Sequence, residues 1–441
     1  MTDEPRRNAL HRTWAWSLRL HRTYRETNWA LVDQGVVSGV NFLTMVLLAR
    51  LLGVEQFGKF SIAWLVLLFF KSIQAALVVA PMMTIGPKQR DDEQALYYGA
   101  VILQQVGIAL LTFLLIVLGI WIAELLPLDL GLTGLGLALG AAAATDQVQD
   151  FVRRYLYTHQ RAFAAFLNDV ICFGIRIALL IGLYMYAKSS ASGALALWLI
   201  AIASALAAGV GVWLIGPVRF DRRSFVSVCG HHWAFSKWIF GSAIFRWMSG
   251  HLIVLMSGGI LGAYAVGAIR STTNVLAPVQ VFLLALANIA PVKAARLFHE
   301  HGAQPLLRYL GKLSIAGFAM TAAMVIFGSL FASQIVGLLY GDEYRPFAYL
   351  IHWWAVIYLV GFLEFPLETG LKAIEHTRPL FYTVVIEAIF AAATSYLLAF
   401  HFGLPGVMFG LLVVKIIPVS VLATSFLRKV PPWRRPADVK S

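Results

Sequence analysis

The chain has 441 residues, 59% of them hydrophobic and only 13% charged, with a mean hydropathy of +0.75. That composition excludes an ordinary water-soluble domain and places the chain in the polytopic membrane class. A formal net charge of +13 would suggest nucleic acid in a soluble protein; here it reads as loop charge on one side of a bilayer, and no nucleic-acid partner is expected.

Residues 1–28 mix Arg with Trp, Leu and Tyr in NALHRTWAWSLRLHRTYRETNW, the pattern of a basic arm lying on an anionic leaflet. The apolar run that starts at Trp29 is too long for the core of a secretory signal. A spanning helix needs about 20 mostly apolar residues. With Pro, Gly and charge clusters as breaks, twelve spans are predicted near 29–50, 57–81, 96–124, 132–152, 163–187, 193–216, 236–258, 263–290, 306–336, 347–370, 379–401 and 404–427. The predicted organisation is therefore an N-lobe over 29–218, a linker over 219–235, a C-lobe over 236–428 and a basic tail over 429–441.

Within these elements Gly131, Gly134, Gly136 and Gly140 suit close packing of span 4, the last two as GxxxG. Pro278 is expected to bend span 8, because proline removes a backbone hydrogen bond. Cys172 and Cys229 offer neither a disulfide framework nor a metal spacing. His231-His232 and His299-Glu300-His301 read as polar interface residues lacking the partners of a metal site.

Lys and Arg test the span count. With the N-terminus inside, the inner loops and tails hold most of the 35 basic residues, and the outer loops hold only Arg50, Lys59, Lys188 and Arg345. This asymmetry predicts that both termini are cytoplasmic. The chain also repeats itself. Leu52-Gly53-x4-Gly58 recurs as Leu261-Gly262-x4-Gly267, Trp29 matches Trp238, Ala80-Pro81 matches Ala290-Pro291, and His159-Gln-Arg161 is echoed by His376-Thr-Arg378. Six spans per half is an even number, so the halves are parallel repeats.

Five cations fall at bilayer depth: Lys71, Arg176, Arg246, Arg270 and Lys415. A charge at the bilayer centre costs at least about 2.5–3.5 kcal/mol on insertion scales, so each is a functional candidate. Asp146, Glu364, Glu368 and Glu387 could pair with them, and Lys415 with Glu387 reads as a structural pair between adjacent helices. Asp33, one turn from Trp29, reads as interfacial. If an ion gradient of H+ or Na+ drives a cycle, Glu364, Asp146 or Asp33 would carry it. No arrangement of Ser, His, Asp or Cys suggests a nucleophile, and there is no P-loop or GxGxxG, so neither enzymatic activity nor a cofactor is expected.

At Leu48-Ala49-Arg50-Leu51-Leu52-Gly53-x4-Gly58-x-Phe60, Ala63-Trp64 and the echo from Leu261-Gly262 to Arg270, the sequence resembles the multidrug/oligosaccharidyl-lipid/polysaccharide exporter superfamily, in its polysaccharide-flippase branch. The resemblance implies an all-α protein with two six-helix lobes around a central cavity lined by helices one, two, seven and eight. It implies alternating access that moves undecaprenyl-pyrophosphate-linked oligosaccharide from the inner to the outer leaflet of a bacterial inner membrane, for O-antigen, capsule or exopolysaccharide. A polysaccharide polymerase or export machinery would be the protein partner. On that arrangement Lys71, Arg246 and Arg270 converge on the cavity, with Arg176 at similar depth. Such a cluster suits a diphosphate, since Arg offers paired planar donors and Lys a point charge. Related flippases of peptidoglycan precursors show an Arg-Asp pair in the first helix where this chain has Thr44 and Met45. The alternative is a drug or organic-cation antiporter of the same superfamily, whose cavity should be acidic; a non-transporting scaffold for glycan assembly would tolerate loss of every cavity charge.

Overall fold

The computed structural model describes residues 4–125 and 134–429, with side chains from Trp29 onward apart from residues 30, 31 and 91. The chain is a multi-pass membrane protein. Nine helices among the described residues are long and apolar enough to cross a bilayer, and because two of them cross twice they make eleven crossings. Glu4–Gln74 is bent at Gly53 and supplies spans 1 and 2, and Arg378–Lys429 is bent at Gly403 and supplies spans 11 and 12. Asp91–Leu125 is span 3, Ala162–Tyr186 span 5, Gly193–Leu214 span 6, Arg222–Leu261 span 7 and Leu350–Ala373 span 10. Span 8 is Ala263–Val275 with Ala277–His301, and span 9 is Ala303–Leu330 with Ala332–Tyr340. Span 4, Gly136–Thr158, is the twelfth. It falls outside the nine because Asp146, Asp150, Arg153 and Arg154 dilute its apolar content, and it is tolerated because Asp146, Asp150 and Arg153 lie inside its lobe rather than in lipid.

The repeated glycines have a structural cause. Gly53 has φ +70° and Gly262 φ +94°, the left-handed region that only glycine enters at no steric cost, and each ends a span and reverses the chain. Gly58 and Gly267 then meet across the lobes. A Cβ on Gly58 would lie 1.8 Å from the Ala263 carbonyl oxygen, and one on Gly267 would lie 2.3 Å from that of Val54. The turn after span 4 and the turn after span 10 match as well: Gln160 has φ 54° and Glu375 φ 58°. The hydrogen bonds that close these turns, Arg161 N to Leu156 O and His376 N to Leu371 O, are both 2.9 Å. The structural register therefore pairs Gln160 with Glu375, two residues off the sequence match of His159 with His376.

Three apolar clusters set the shape. The largest runs through both lobes, joining Leu48, Phe57, Phe60 and Leu65 to Val266, Ile269, Val336 and Tyr344. The second belongs to the N-lobe side (Met82, Tyr98, Phe151, Tyr155) and the third to the C-lobe (Leu306, Leu310, Leu371, Phe426). The lobes thus share one core toward the face that carries the Gly53 turn, called here the far face, and have separate cores toward the terminal face. On the far face Arg50 donates to the carbonyls of Leu338 and Leu339, Glu343 accepts from Val54 N at 3.0 Å, and the Tyr344 hydroxyl donates to Ala49 O at 2.9 Å. Arg50 thereby satisfies the last carbonyls of Ala332–Tyr340, and Glu343 the first amide of span 2, each lobe capping a helix end of the other. Leu110, Leu114, Leu118 and Trp121 of span 3 are exposed, as a helix facing hydrocarbon rather than water should be.

Several expectations are refined. Residues 222–235, expected as linker, are helical and run into span 7: Asp221 accepts from Ser224 N at 2.8 Å as an N-cap, and the helix starts beyond the apolar stretch that hydropathy detects. His232 is buried there between Tyr97 (2.9 Å) and Gln104 (2.7 Å) of span 3. Span 8 does break, at Leu276, with Pro278 in the first turn of its second segment. Gly140 lies against Phe113 and Val117 of span 3, where a Cβ would stand 3.0 and 3.1 Å away, whereas Gly131 lies outside the described residues. The backbone of the N-terminal arm is helical from Glu4; its side chains to residue 28 and the tail from 430 also lie outside them.

Candidate functional site

Inside the C-lobe, at mid-depth, is a cavity of about 310 Å³. Span 7 contributes His251, span 8 Arg270, Thr273 and Gln280, span 10 Trp354 and Tyr358, and span 12 Lys415; Leu65 of span 2 is the one N-lobe residue on its wall. Arg270 stands eight residues past the Gly262 turn, on the order of 12 Å into the bilayer at 1.5 Å per residue. Among the described residues Arg270 has no ion-pair partner. Lys415 has one: its Nζ is 3.6 Å from Glu364 Oε2. The expected pair with Glu387 is not made, because the Lys415 stem lies across span 10 at Gly361, where a Cβ would be 3.4 Å from Lys415 Cδ. That path carries the ammonium to Glu364, one turn further along span 10. Glu387 is buried nearby, beside Ser249. Glu368 pairs with Lys372 at 2.7 Å.

A second cavity, about 400 Å³, holds Arg246, Trp247, Leu68 and Ser72, and shares His251 with the first. Arg246, Arg270 and Lys415 thus form a cationic strip along two cavities that share His251. A cleft of about 600 Å³ opens between the lobes toward the terminal face. Gln34, Gly35, Gly39 and Phe42 of span 1 form one side, and Pro278, Val281, Leu284 and Asn288 of span 8 the other.

Lys71 and Arg176 do not join this strip. They lie in an N-lobe network where carboxylates hold them. Lys71 Nζ is 2.8 Å from Asp146 Oδ2 and 3.5 Å from Asp150 Oδ1, and Arg176 Nη2 is 3.5 Å from Asp146 Oδ1 and 3.3 Å from Ser204 Oγ. Asp33, expected at the interface, is fully buried in the same lobe. Arg153 bridges Asp33 and Asp169, 2.7 Å from each, and the Tyr157 hydroxyl donates to Asp33 at 2.5 Å. The reason is span 4: its acidic and basic residues recur every three or four positions, so one helix face meets the charges of spans 1, 2 and 5. Removing one partner from such a group strands the others. Arg153→Ala is expected to destabilise the fold by about 3–5 kcal/mol, read as a fall in the unfolding midpoint in detergent, with Asp169→Asn restoring part of it; an unchanged midpoint would show that the bridge carries no stability.

Three residues escaped the sequence reading. His251 was findable, as an ionisable group in the apolar run Leu252-Ile-Val-Leu of span 7. Gln280 and Tyr358, joined by a 2.6 Å hydrogen bond from the Gln280 amide to the Tyr358 oxygen, carry no charge and become a pair only when spans 8 and 10 pack.

Comparison with known proteins agrees with this architecture. Residues 47–349 match the family model described as polysaccharide biosynthesis protein. Among solved structures, an inward-facing multidrug-resistance MATE transporter of the MOP superfamily superposes with a TM-score of 0.71 at 16% identity, over 89% of this chain and 94% of that one. The lipid II flippase MurJ, in an inward closed conformation, gives 0.69 at 14% identity over 90% and 87%. A MOP-superfamily transporter of Pyrococcus furiosus, described as having a binding pocket of reverse polarity, gives 0.60 at 14% over 93% and 95%. No curated protein matches. These likenesses establish the fold: two six-helix lobes related by a parallel repeat.

Proposed function

The chain belongs to the polysaccharide biosynthesis protein family, and from that premise we propose that it is a flippase for an oligosaccharide carried on a polyprenyl diphosphate, moving it from the inner to the outer leaflet. The observation that carries this reading is Arg270: a cation without a carboxylate partner among the described residues, facing a cavity inside the spans, beside His251 and Lys415. An arginine so placed is tolerated where an anion visits it. Paired donors on one plane suit phosphate oxygens, and Arg246 lies one cavity away on the same strip. An organic-cation antiporter would need the opposite polarity. A flippase with no covalent step also needs no nucleophile or cofactor.

The open cleft between spans 1 and 8 supplies the entry. Its walls are largely apolar, as a lipid tail requires, and span 8, which forms one of them, also carries Arg270. With the terminal face cytoplasmic, the chain stands in the state that loads substrate. Rocking the lobes would then part Gly58 from Gly267 and release the head on the far side. Of the carboxylates considered as ion carriers, Asp33 and Asp146 are held in the N-lobe network, while among the described residues Glu364 is held only by Lys415. A diphosphate that draws Lys415 away frees Glu364 to take up an ion, which makes Glu364 the coupling group in this proposal.

The test is translocation itself. Purified protein in liposomes carrying a labelled undecaprenyl-diphosphate oligosaccharide is expected to raise the fraction open to an impermeant lectin. Folded protein that moves none of several glycans, under imposed H+ or Na+ gradients, would refute the reading.

A further inference from the structure

The first turns of span 7 have two unlike sides, and their level against the bilayer is set by their neighbours. His232 is held between Tyr97 and Gln104 of span 3, at 2.9 and 2.7 Å. The adjacent Tyr98 packs on His159, which ends span 4, with ring centroids 4.6 Å apart. Arg161, just beyond that end, donates to the carbonyl of Leu214, the last residue of span 6, at 2.6 Å. Span 6 has 22 residues, about 33 Å at 1.5 Å per residue, close to the hydrocarbon thickness. Its end, where Trp213 is almost fully exposed, marks the boundary of the terminal leaflet. Trp233, next to His232, stands at that level.

On the side of the helix away from His232, steps of three and four residues align Arg223, Val226, Gly230, Trp233 and Lys237. All five are exposed, Val226 at 64% and Trp233 at 55%, so the described chain leaves this side uncovered. Arg222, Arg223 and Lys237 make no ion pair among the described residues. In the sequence Asp221 is the only carboxylate between Asp169 and Glu300, and it is engaged in capping Ser224 N. An indole at the boundary, with unanswered cations on either side of it along the helix, matches an anionic head-group layer. The ring lies in the interface, and the long basic side chains reach the phosphates. A soluble protein partner would not reach Lys237, which lies one turn deeper than Trp233. We propose that this side of span 7 is a docking surface for anionic phospholipid of the terminal leaflet. It lies apart from the substrate cavities and does not rest on the flippase reading. The same helix continues to Arg246 and His251, so the docked lipid holds the root of the span that borders both cavities.

Photo-crosslinking of the full chain tests this in nanodiscs of equal phosphatidylglycerol and phosphatidylcholine, with one or the other carrying a head-group diazirine. Adducts between residues 222 and 237 are expected to form about tenfold more with phosphatidylglycerol, the scale of one or two cations meeting an anionic head group. The triple variant Arg222→Gln/Arg223→Gln/Lys237→Gln is expected to bring that ratio below about twofold. Trp233→Ala is expected to lower the yield there with both lipids. The three cations are exposed, so folding is spared, and unchanged adducts on the rest of the chain will show it. Arg296→Gln/Arg308→Gln/Lys312→Gln, which removes equal charge from exposed positions of the C-lobe, should leave the ratio intact. Equal wild-type yields with the two lipids overturn the docking surface. So does a ratio that survives the first triple variant, or one that falls equally with the second, since net charge would then be the cause. Crosslinks in cells that join residues 222–237 to a protein and not to lipid would also overturn it.

Discussion

Arg270→Ala is expected to slow flipping by about a hundredfold or more while leaving the protein at least as stable as before. The two halves of that expectation share one cause. A guanidinium at mid-depth has been taken out of water with no carboxylate among the described residues to answer it, so it weighs against folding. Its return comes only with the ligand: two charge-assisted hydrogen bonds at about 1.5–3 kcal/mol each, with each 1.4 kcal/mol worth a factor of ten. Deleting the side chain therefore removes substrate binding and relieves the fold together. Arg270→Lys keeps the charge and loses the planar pair of donors, so it should fall between the two, near a tenfold loss. Lectin accessibility in liposomes gives the rate, and an unfolding midpoint in the same detergent gives the stability. A variant that flips at the normal rate, or whose loss of transport follows a loss of fold, would remove Arg270 from the site.

Gly58→Val should abolish transport by a different route. The two repeat glycines meet where a Cβ on Gly58 would stand 1.8 Å from the Ala263 carbonyl, backbone against side chain with nothing flexible to give. Overpacking of a tight contact usually costs about 1–3 kcal/mol; here the cheaper relief is to part the lobes at the far face. That separation would also strain the exchange of caps in which Arg50 reaches Leu338 and Leu339 and Glu343 reaches Val54. Spin labels at Glu55 and Tyr264, both exposed at that face, should move apart, and the cycle should stall with the far side unable to close. An unchanged distance distribution together with an unchanged rate would mean that the glycine contact is not the closing surface.

The contrast between these two predictions shows where the sequence was legible. Gly53, Gly58, Gly262 and Gly267 could be picked out because a turn and a close approach each demand glycine, and the demand recurs at the same spacing in both halves. Arg270 could be picked out because a charge in an apolar run is visible in one dimension. Lys71 looked the same in one dimension and proved different in three. Asp146 and Asp150, which hold it, lie far along the chain on span 4, and only the rotation of that helix about its axis brings them round. The same azimuth decided that Lys415 pairs with Glu364 rather than Glu387, since Gly361 leaves a path for its stem. Gln280 and Tyr358 had no signal at all, being neutral residues on separate spans.

What the sequence by itself determined is the membrane class, the run of apolar spans, the repeat, and which residues carry a charge at depth. These are sums over neighbours in the chain, and the bilayer reads them as such, by length and by transfer cost. What only the tertiary structure decided is which buried charges are answered by another and which, among the described residues, is not. That depends on the facing of helices remote in sequence, where a difference of a few ångströms turns a solvation cost into an ion pair or leaves a cation without one.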